Sequence, residues 1–173
     1  MKPVMAESNL CGMNHFRIEL PAGHHALREG RESLIHGTYL VTTTTLGRQP
    51  RFADFEVAAG VCRCFRSREA LADAHLLAWV LMPDHAHWLI ELGETEPLSR
   101  VVARLKGVSA RAANHVVGVE GPMWAPAFHD RALRSWRDVR LVARYIVCNP
   151  VRAGLVQCLG DYPYWDTAWT GQR

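Results

Sequence analysis

The sequence predicts an α+β domain, an antiparallel sheet with helices packed mainly on one face. Two observations carry that expectation. Segments dense in β-branched and aromatic residues alternate with segments of helical period, in the order β-α-β-β-α-β-α. Two of the apolar runs are parted only by Pro83-Asp84, a separation that reads as a hairpin. A length of 173 residues, 49% apolar and 21% charged, is enough for one real core and hardly for two.

Residues 1–26 show no sustained period and mix Pro, Gly, His and Asn, which predicts a loosely structured extension ahead of a single domain over 27–173. LREGR, with Arg28 and Arg31, is a short basic knot. HGTYLVTTTTL, residues 36–46, has the alternation and β-branched density of a first strand, closed by the turn residues of 47–50. Residues 52–71 carry apolar positions at helical spacing, with Gly60 as a weak point. Residues 74–82 and 85–92 follow as two strands, and Pro83, which has no N–H for a ladder, belongs in the turn between them.

Leu98 to Val117 repeats apolar residues at three and four, so it reads as a long helix whose outer face carries Arg100, Arg104, Lys106 and Arg111. FHDRAL, residues 128–133, reads as a short edge strand. Ser135 is placed to cap a last helix over 136–148, with Asp138 in its first turn, and Asn149-Pro150 ends it. The remaining chain is a Gly/Pro-punctuated tail that Trp165 and Trp169 pack down.

A net charge of +3 and a pI near 8.7 permit a polyanionic partner without demanding one. No apolar run reaches membrane-spanning length and the N-terminus lacks a basic-then-apolar leader, so a soluble, cytoplasmic protein is expected. The five cysteines (Cys11, Cys62, Cys64, Cys148, Cys158) are odd in number and form no CxxC pair, which argues against a disulfide framework and a structural zinc site.

The chemistry-bearing stretch is MPDHAHWLIE, residues 82–91. On a strand, His85 and His87 point to one face about 7 Å apart, and two neutral imidazoles on one face can share a metal ion. The alternative is an ordinary pair of polar positions on a sheet face. In the last helix Tyr145 falls beside the apolar stripe, and Asn149 lies one turn further on the same side. A lone tyrosine there is by default a packing residue. Beside Asn149 it gains interest, because an amide oxygen can complete a hard-metal site begun by two histidines.

MPDHAHWLIEL, LKGVSARAANH, PMW, FHDRALR and ARYIVCNPVRAGLV, in this order, resemble the REP-associated tyrosine transposases, a bacterial branch of the single-tyrosine HUH transposases. The resemblance runs from about Leu27 to Trp169. It implies a ferredoxin- or RRM-like antiparallel sheet with the HUH pair on a central strand. It also implies His85, His87 and Asn149 as ligands of Mg²⁺ or Mn²⁺, and Tyr145 as the nucleophile of a 5′-phosphotyrosine intermediate. Single-stranded DNA with palindromic hairpins of the repetitive extragenic type becomes the implied substrate, and a monomer is expected rather than a homodimer. Arg28, Arg31, Arg104, Lys106, Arg111, Arg131 and Arg134 are the candidates for DNA-backbone contacts. Trp88 or Trp124 could stack a base, with core packing as the default role of either. Ala125 departs from the pattern, standing where glutamine is common. Three other readings compete: a metal-dependent nuclease that activates water, a non-catalytic nucleic-acid-binding module, and a structural metal site.

Overall fold

The structure, a computed structural model, describes residues 33–169. The N-terminal extension, Arg28 and Arg31 lie outside the described residues. Within them a five-stranded antiparallel sheet runs in the order β4-β1-β3-β2-β5, and β3 is its middle strand. The strands are β1 (Thr38–Thr44), β2 (His75–Met82), β3 (His85–Glu91), β4 (His129–Leu133) and β5 (Trp165–Thr167).

The hairpin at the centre forms as its sequence predicts. β2 and β3 pair from Met82 opposite His85 to His75 opposite Glu91, with a bulge between Leu76 and Ala78. Pro83 and Asp84 make the turn, and their carbonyls are used elsewhere. Pro83 O accepts from Phe52 N at 2.9 Å, and Asp84 O accepts from Thr45 N at 2.8 Å. The turn is thereby tied to the segment after β1, which fixes the end of β3 that carries the histidines.

Side-chain alternation divides β3 between two cores. Ala86, Trp88 and Ile90 face a core shared with α1 (Phe55–Cys64), α2 (Arg68–Leu71) and α3 (Leu98–Val117). Leu89 faces the other side, where α4 (Trp136–Val147) buries Val139, Val142, Ala143, Ile146 and Val147 against Leu40, Val80 and Met82. His85 and His87 share the parity of Leu89, so they look toward the α4 side. Most of the helix content does lie on one face. The exception is α4, which crosses the face that carries the histidine pair.

Three local outcomes differ from the sequence reading. The helical segment 52–71 is broken, not at Gly60, but after Cys64, where Ser67 accepts from Ala70 N and starts α2. Gly60 stays inside α1, where α3 packs against it: a Cβ there would make ordinary van der Waals contact, 3.7 Å from Val116 and 4.0 Å from Ala112 O. The residues after Cys148 continue as a short helix, α5 (Asn149–Arg152), since a proline in the first turn loses no helical hydrogen bond. The tail also contributes β5, which pairs with Ala78, Trp79 and Val80 of β2.

Ser135 caps α4 as expected, its side chain accepting from Asp138 N at 3.1 Å. Cys62, Cys64, Cys148 and Cys158 are free thiols, and burial pushes Cys62 up to about 12. Among the described residues no helix is long and apolar enough to cross a membrane.

Candidate metal and nucleophile site

The two imidazoles project from the same face of β3 with ring centroids 4.9 Å apart and planes nearly perpendicular. Each has its Nδ1 engaged. His85 Nδ1 donates to Asp84 Oδ1 at 2.5 Å, because a carboxylate can only accept. The other carboxylate oxygen, Asp84 Oδ2, lies 3.2 Å from Arg48 Nε. His87 Nδ1 meets Thr42 Oγ1 at 2.9 Å, across the register that pairs Thr42 with His87. The carboxylate at Nδ1 fixes the tautomer of His85 and leaves its Nε2 for a ligand, while the Thr42 hydroxyl, which can donate or accept, fixes the orientation of the His87 ring.

His87 is buried, and desolvation lowers its pKa to about 3, with the charges of His85, Arg152 and Arg48 acting in the same direction. It is therefore neutral at pH 7, the protonation state that a metal ligand needs. A second histidine lies in the same cross-strand row. Thr42 pairs with His87 on one side and with His129 of edge strand β4 on the other, so His129 and Arg131 face the same way as His87.

Tyr145 sits half-buried on α4 against the second core. Its phenolic oxygen accepts from Arg152 Nη2 at 2.9 Å, and the Arg152 Cζ lies 3.9 Å from the centroid of its ring. Arg152 Nη1 donates to Asn149 Oδ1 at 3.2 Å. Asn149 Nδ2 is buried and has no hydrogen-bond partner, so the amide is only partly satisfied. One guanidinium thus joins the two residues of the last helices that the sequence had singled out. Among the described residues no three His, Cys, Asp or Glu side chains are placed to hold a metal ion.

Arg104, Lys106 and Arg111 belong elsewhere. They lie on α3, which packs on the opposite face of the sheet, and the first two serve the fold. Arg104 Nε donates to Ala70 O at 3.0 Å and Nη2 pairs with Glu96 at 2.5 Å. Lys106 Nζ donates to the carbonyls of Ala125 and Pro126 at 2.5 and 3.1 Å. Arg111 faces Glu69 at 3.4 Å, and both side chains are exposed. The helical period had rightly placed these cations off the apolar stripe, but period alone does not tell which residues a long side chain can reach. Arg131 and Arg134 are exposed, on and just after β4. Trp88 and Trp124 are core residues, at 0% and 5% exposure, and Trp124 Nε1 donates to Ser109 Oγ at 3.0 Å. Neither is available to stack a base.

Sequence reasoning had passed over Arg152 and Arg48. Arg152 stands seven residues after Tyr145 and three after Asn149, a spacing that stacks side chains on one helical side. With Asn149-Pro150 read as the end of the helix, Arg152 falls outside it. Arg48 had no comparable signal. It follows Gly47 in the left-handed region, at φ 55°, so that a sharp turn delivers it to Asp84.

An antiparallel sheet thus presents two oriented imidazoles from its middle strand, on the face that α4 crosses with Tyr145, and Asn149 opens α5 directly after α4. Residues 35–147 match the model of the family described as "Transposase IS200 like", and the chain belongs to that family. It is 33% identical over 89 residues to the REP-associated tyrosine transposase of Escherichia coli (strain K12), covering 50% of each chain. It is 29% identical over 98 residues to a putative REP-associated tyrosine transposase of Haemophilus influenzae, covering 51% of this chain and 56% of that one. The chain thus spans about half the length of the curated relatives it matches. A solved REP-associated tyrosine transposase bound to a REP hairpin superposes with a TM-score of 0.61 at 24% identity, over 78% of this chain and 79% of that one. That likeness shows a shared fold.

Proposed function

We propose that this chain cleaves and rejoins single-stranded DNA at hairpins of the REP type, with Tyr145 forming a covalent 5′-phosphotyrosine link. The observation that carries the proposal is a convergence. His85 and His87, each oriented through Nδ1, lie on the sheet face that α4 crosses with Tyr145, and Arg152 ties Asn149 at the start of α5 to that tyrosine. Membership in a transposase family and likeness to a hairpin-bound fold make DNA strands the natural substrate.

The donor set fits a divalent cation such as Mg²⁺ or Mn²⁺: two imidazoles, that of His87 held neutral by burial, and an amide whose hydrogen bonding is incomplete. When bound, it would neutralise charge on the phosphate oxygens and on the departing 3′-oxygen. The protein's own residues do the rest. Asp84 holds the His85 imidazole in the tautomer that leaves Nε2 with its lone pair, and Thr42 orients the His87 ring. The Tyr145 oxygen attacks phosphorus, the bond from phosphorus to the 3′-oxygen breaks, and the 5′-phosphate stays on the tyrosine. The 3′-oxygen leaves as a hydroxyl, so the phenol has in effect given up its proton to it. Because one phosphodiester replaces another, a later 3′-hydroxyl can reverse the step and join strands. Arg131, exposed on the site face of β4, and the exposed Arg134 are assigned to the phosphate backbone, and Arg28 and Arg31 to the same work.

Labelled single strands carrying palindromes from the source genome, incubated with Mn²⁺ or with EDTA and run on a denaturing gel, test this reading. A slow band that needs Mn²⁺ and is lost in Tyr145→Phe supports it. Cleavage that persists in Tyr145→Phe with no slow band would replace it with hydrolysis by activated water.

A further inference from the structure

Arg152 makes contacts that a surface arginine does not need. It donates simultaneously to Tyr145 Oη and Asn149 Oδ1, at 2.9 and 3.2 Å, and its guanidinium lies over the tyrosine ring. A planar fork that stacks and donates in two directions loses little further freedom on binding, and lysine cannot reproduce it. A guanidinium offers only donors, so its part here is to hold the phenolic oxygen and not to carry the proton. It supplies a fixed donor to the oxygen on which negative charge appears, both when that proton leaves and when the phosphotyrosine is later displaced.

The second contact has a different consequence. Asn149 Oδ1 is the atom that a cation bound by His85 and His87 would require, and in this structure Arg152 holds it. The two cations compete for one acceptor. We infer that Arg152 has a double role resting on the function proposed above: it positions the Tyr145 nucleophile and, before the metal arrives, occupies the amide oxygen of Asn149. A cation bound there would take the place of Nη1 on Asn149 while Nη2 stayed on the phenol, so the nucleophile would remain held as the amide was redirected.

The test compares wild type with Arg152→Met and Arg152→Lys. Mn²⁺ affinity is read on DNA-free protein by the electron paramagnetic resonance signal of the unbound ion. Single-turnover rates of adduct formation and of strand rejoining, and hairpin affinity by fluorescence anisotropy, are read alongside. Removing the competitor should tighten Mn²⁺ binding in Arg152→Met by about three- to tenfold, the scale of one hydrogen bond. The same variant should slow adduct formation and rejoining together by at least about tenfold while hairpin affinity stays within about twofold. Arg152→Lys, which keeps the charge and loses the fork, should recover part of the rate.

Unchanged or weakened Mn²⁺ binding in Arg152→Met would overturn the competition. Adduct formation at the wild-type rate in that variant, or a slowing explained wholly by lost hairpin affinity, would overturn the positioning role. A wild type that makes no adduct is a failure of the tyrosine reading itself, and the Mn²⁺ comparison still decides whether Arg152 holds Asn149 against the metal.

Discussion

Replacing Thr42 with valine removes one hydroxyl while keeping the β-branched shape that suits β1. The hydroxyl meets Nδ1 of His87 at 2.9 Å. His87 is 7% exposed and is held neutral by burial, so its ring nitrogen cannot turn to bulk water when the partner is lost. An unsatisfied polar atom in that setting costs about 1–3 kcal/mol. For a chain of this size 1 kcal/mol corresponds to roughly 3 °C in melting temperature, so metal-free Thr42→Val should melt about 3–9 °C below wild type. The larger effect is on metal. With Nδ1 unpinned, no partner sets the orientation of the ring, and losing such an orienting partner typically weakens metal affinity about 10- to 100-fold. Calorimetric titration with Mn²⁺ on folded protein well below the melting temperature measures this directly. Wild-type Mn²⁺ affinity in a Thr42→Val protein that melts lower would refute the reasoning, because it would mean that Thr42 supports the fold but does not orient a ligand.

Acid should destabilise the protein through His87. Its folded pKa lies near 3 against 6.5 for the free side chain, so the unfolded chain binds the extra proton between those values. The stability this group contributes is complete above about pH 6.5 and is lost as pH falls toward 3, with a slope of up to about 1.4 kcal/mol per pH unit. Urea midpoints at pH 4.5 and 7 should converge in His87→Gln relative to wild type, and equal differences in both proteins would count against it. Trp124→Phe removes the indole N–H that Ser109 Oγ accepts, at a cost of about 1–3 kcal/mol, without altering hairpin affinity; a large loss of affinity would return Trp124 to the DNA surface. Lys106→Met should expose the 125–127 segment to limited proteolysis while leaving the salt dependence of hairpin binding unchanged. Arg131→Ala and Arg134→Ala should each lower that salt slope by about 0.7, the value for one phosphate contact on a single strand, as read from anisotropy titrations at several salt concentrations.

How much of this was legible in the sequence depended on the range over which each signal acts. The Pro83-Asp84 hairpin, the helix Leu98–Val117 and the Ser135 cap are specified by neighbours within a few residues, and all three form where the pattern placed them. Strand periodicity correctly put His85 and His87 on one face. Strand β5 is only three residues long and owes its existence to β2, some ninety residues earlier, so no local pattern announces it. The same limit hid the role of α4: amphipathic period identifies an apolar stripe, but it does not say which face of a sheet the stripe will cover. Basic residues were the least legible. Lys106 and Arg131 look alike as letters, yet one closes a loop by donating to carbonyls and the other stands exposed beside the site. Arg152 was lost for the opposite reason, because a reliable stop signal, Asn149-Pro150, proved to open a further helical turn.

The central claim is that Tyr145 becomes joined to the 5′-phosphate of a cut strand. Purifying the product of a Mn²⁺ reaction with a REP-type hairpin, digesting both protein and DNA, and sequencing the modified peptide by mass spectrometry tests that claim atom by atom. The account predicts a nucleotide 5′-phosphate on the peptide containing Tyr145, and a free 3′-hydroxyl on the released strand. A cleaved strand with both ends free, or a nucleotide attached to any other residue, would contradict it.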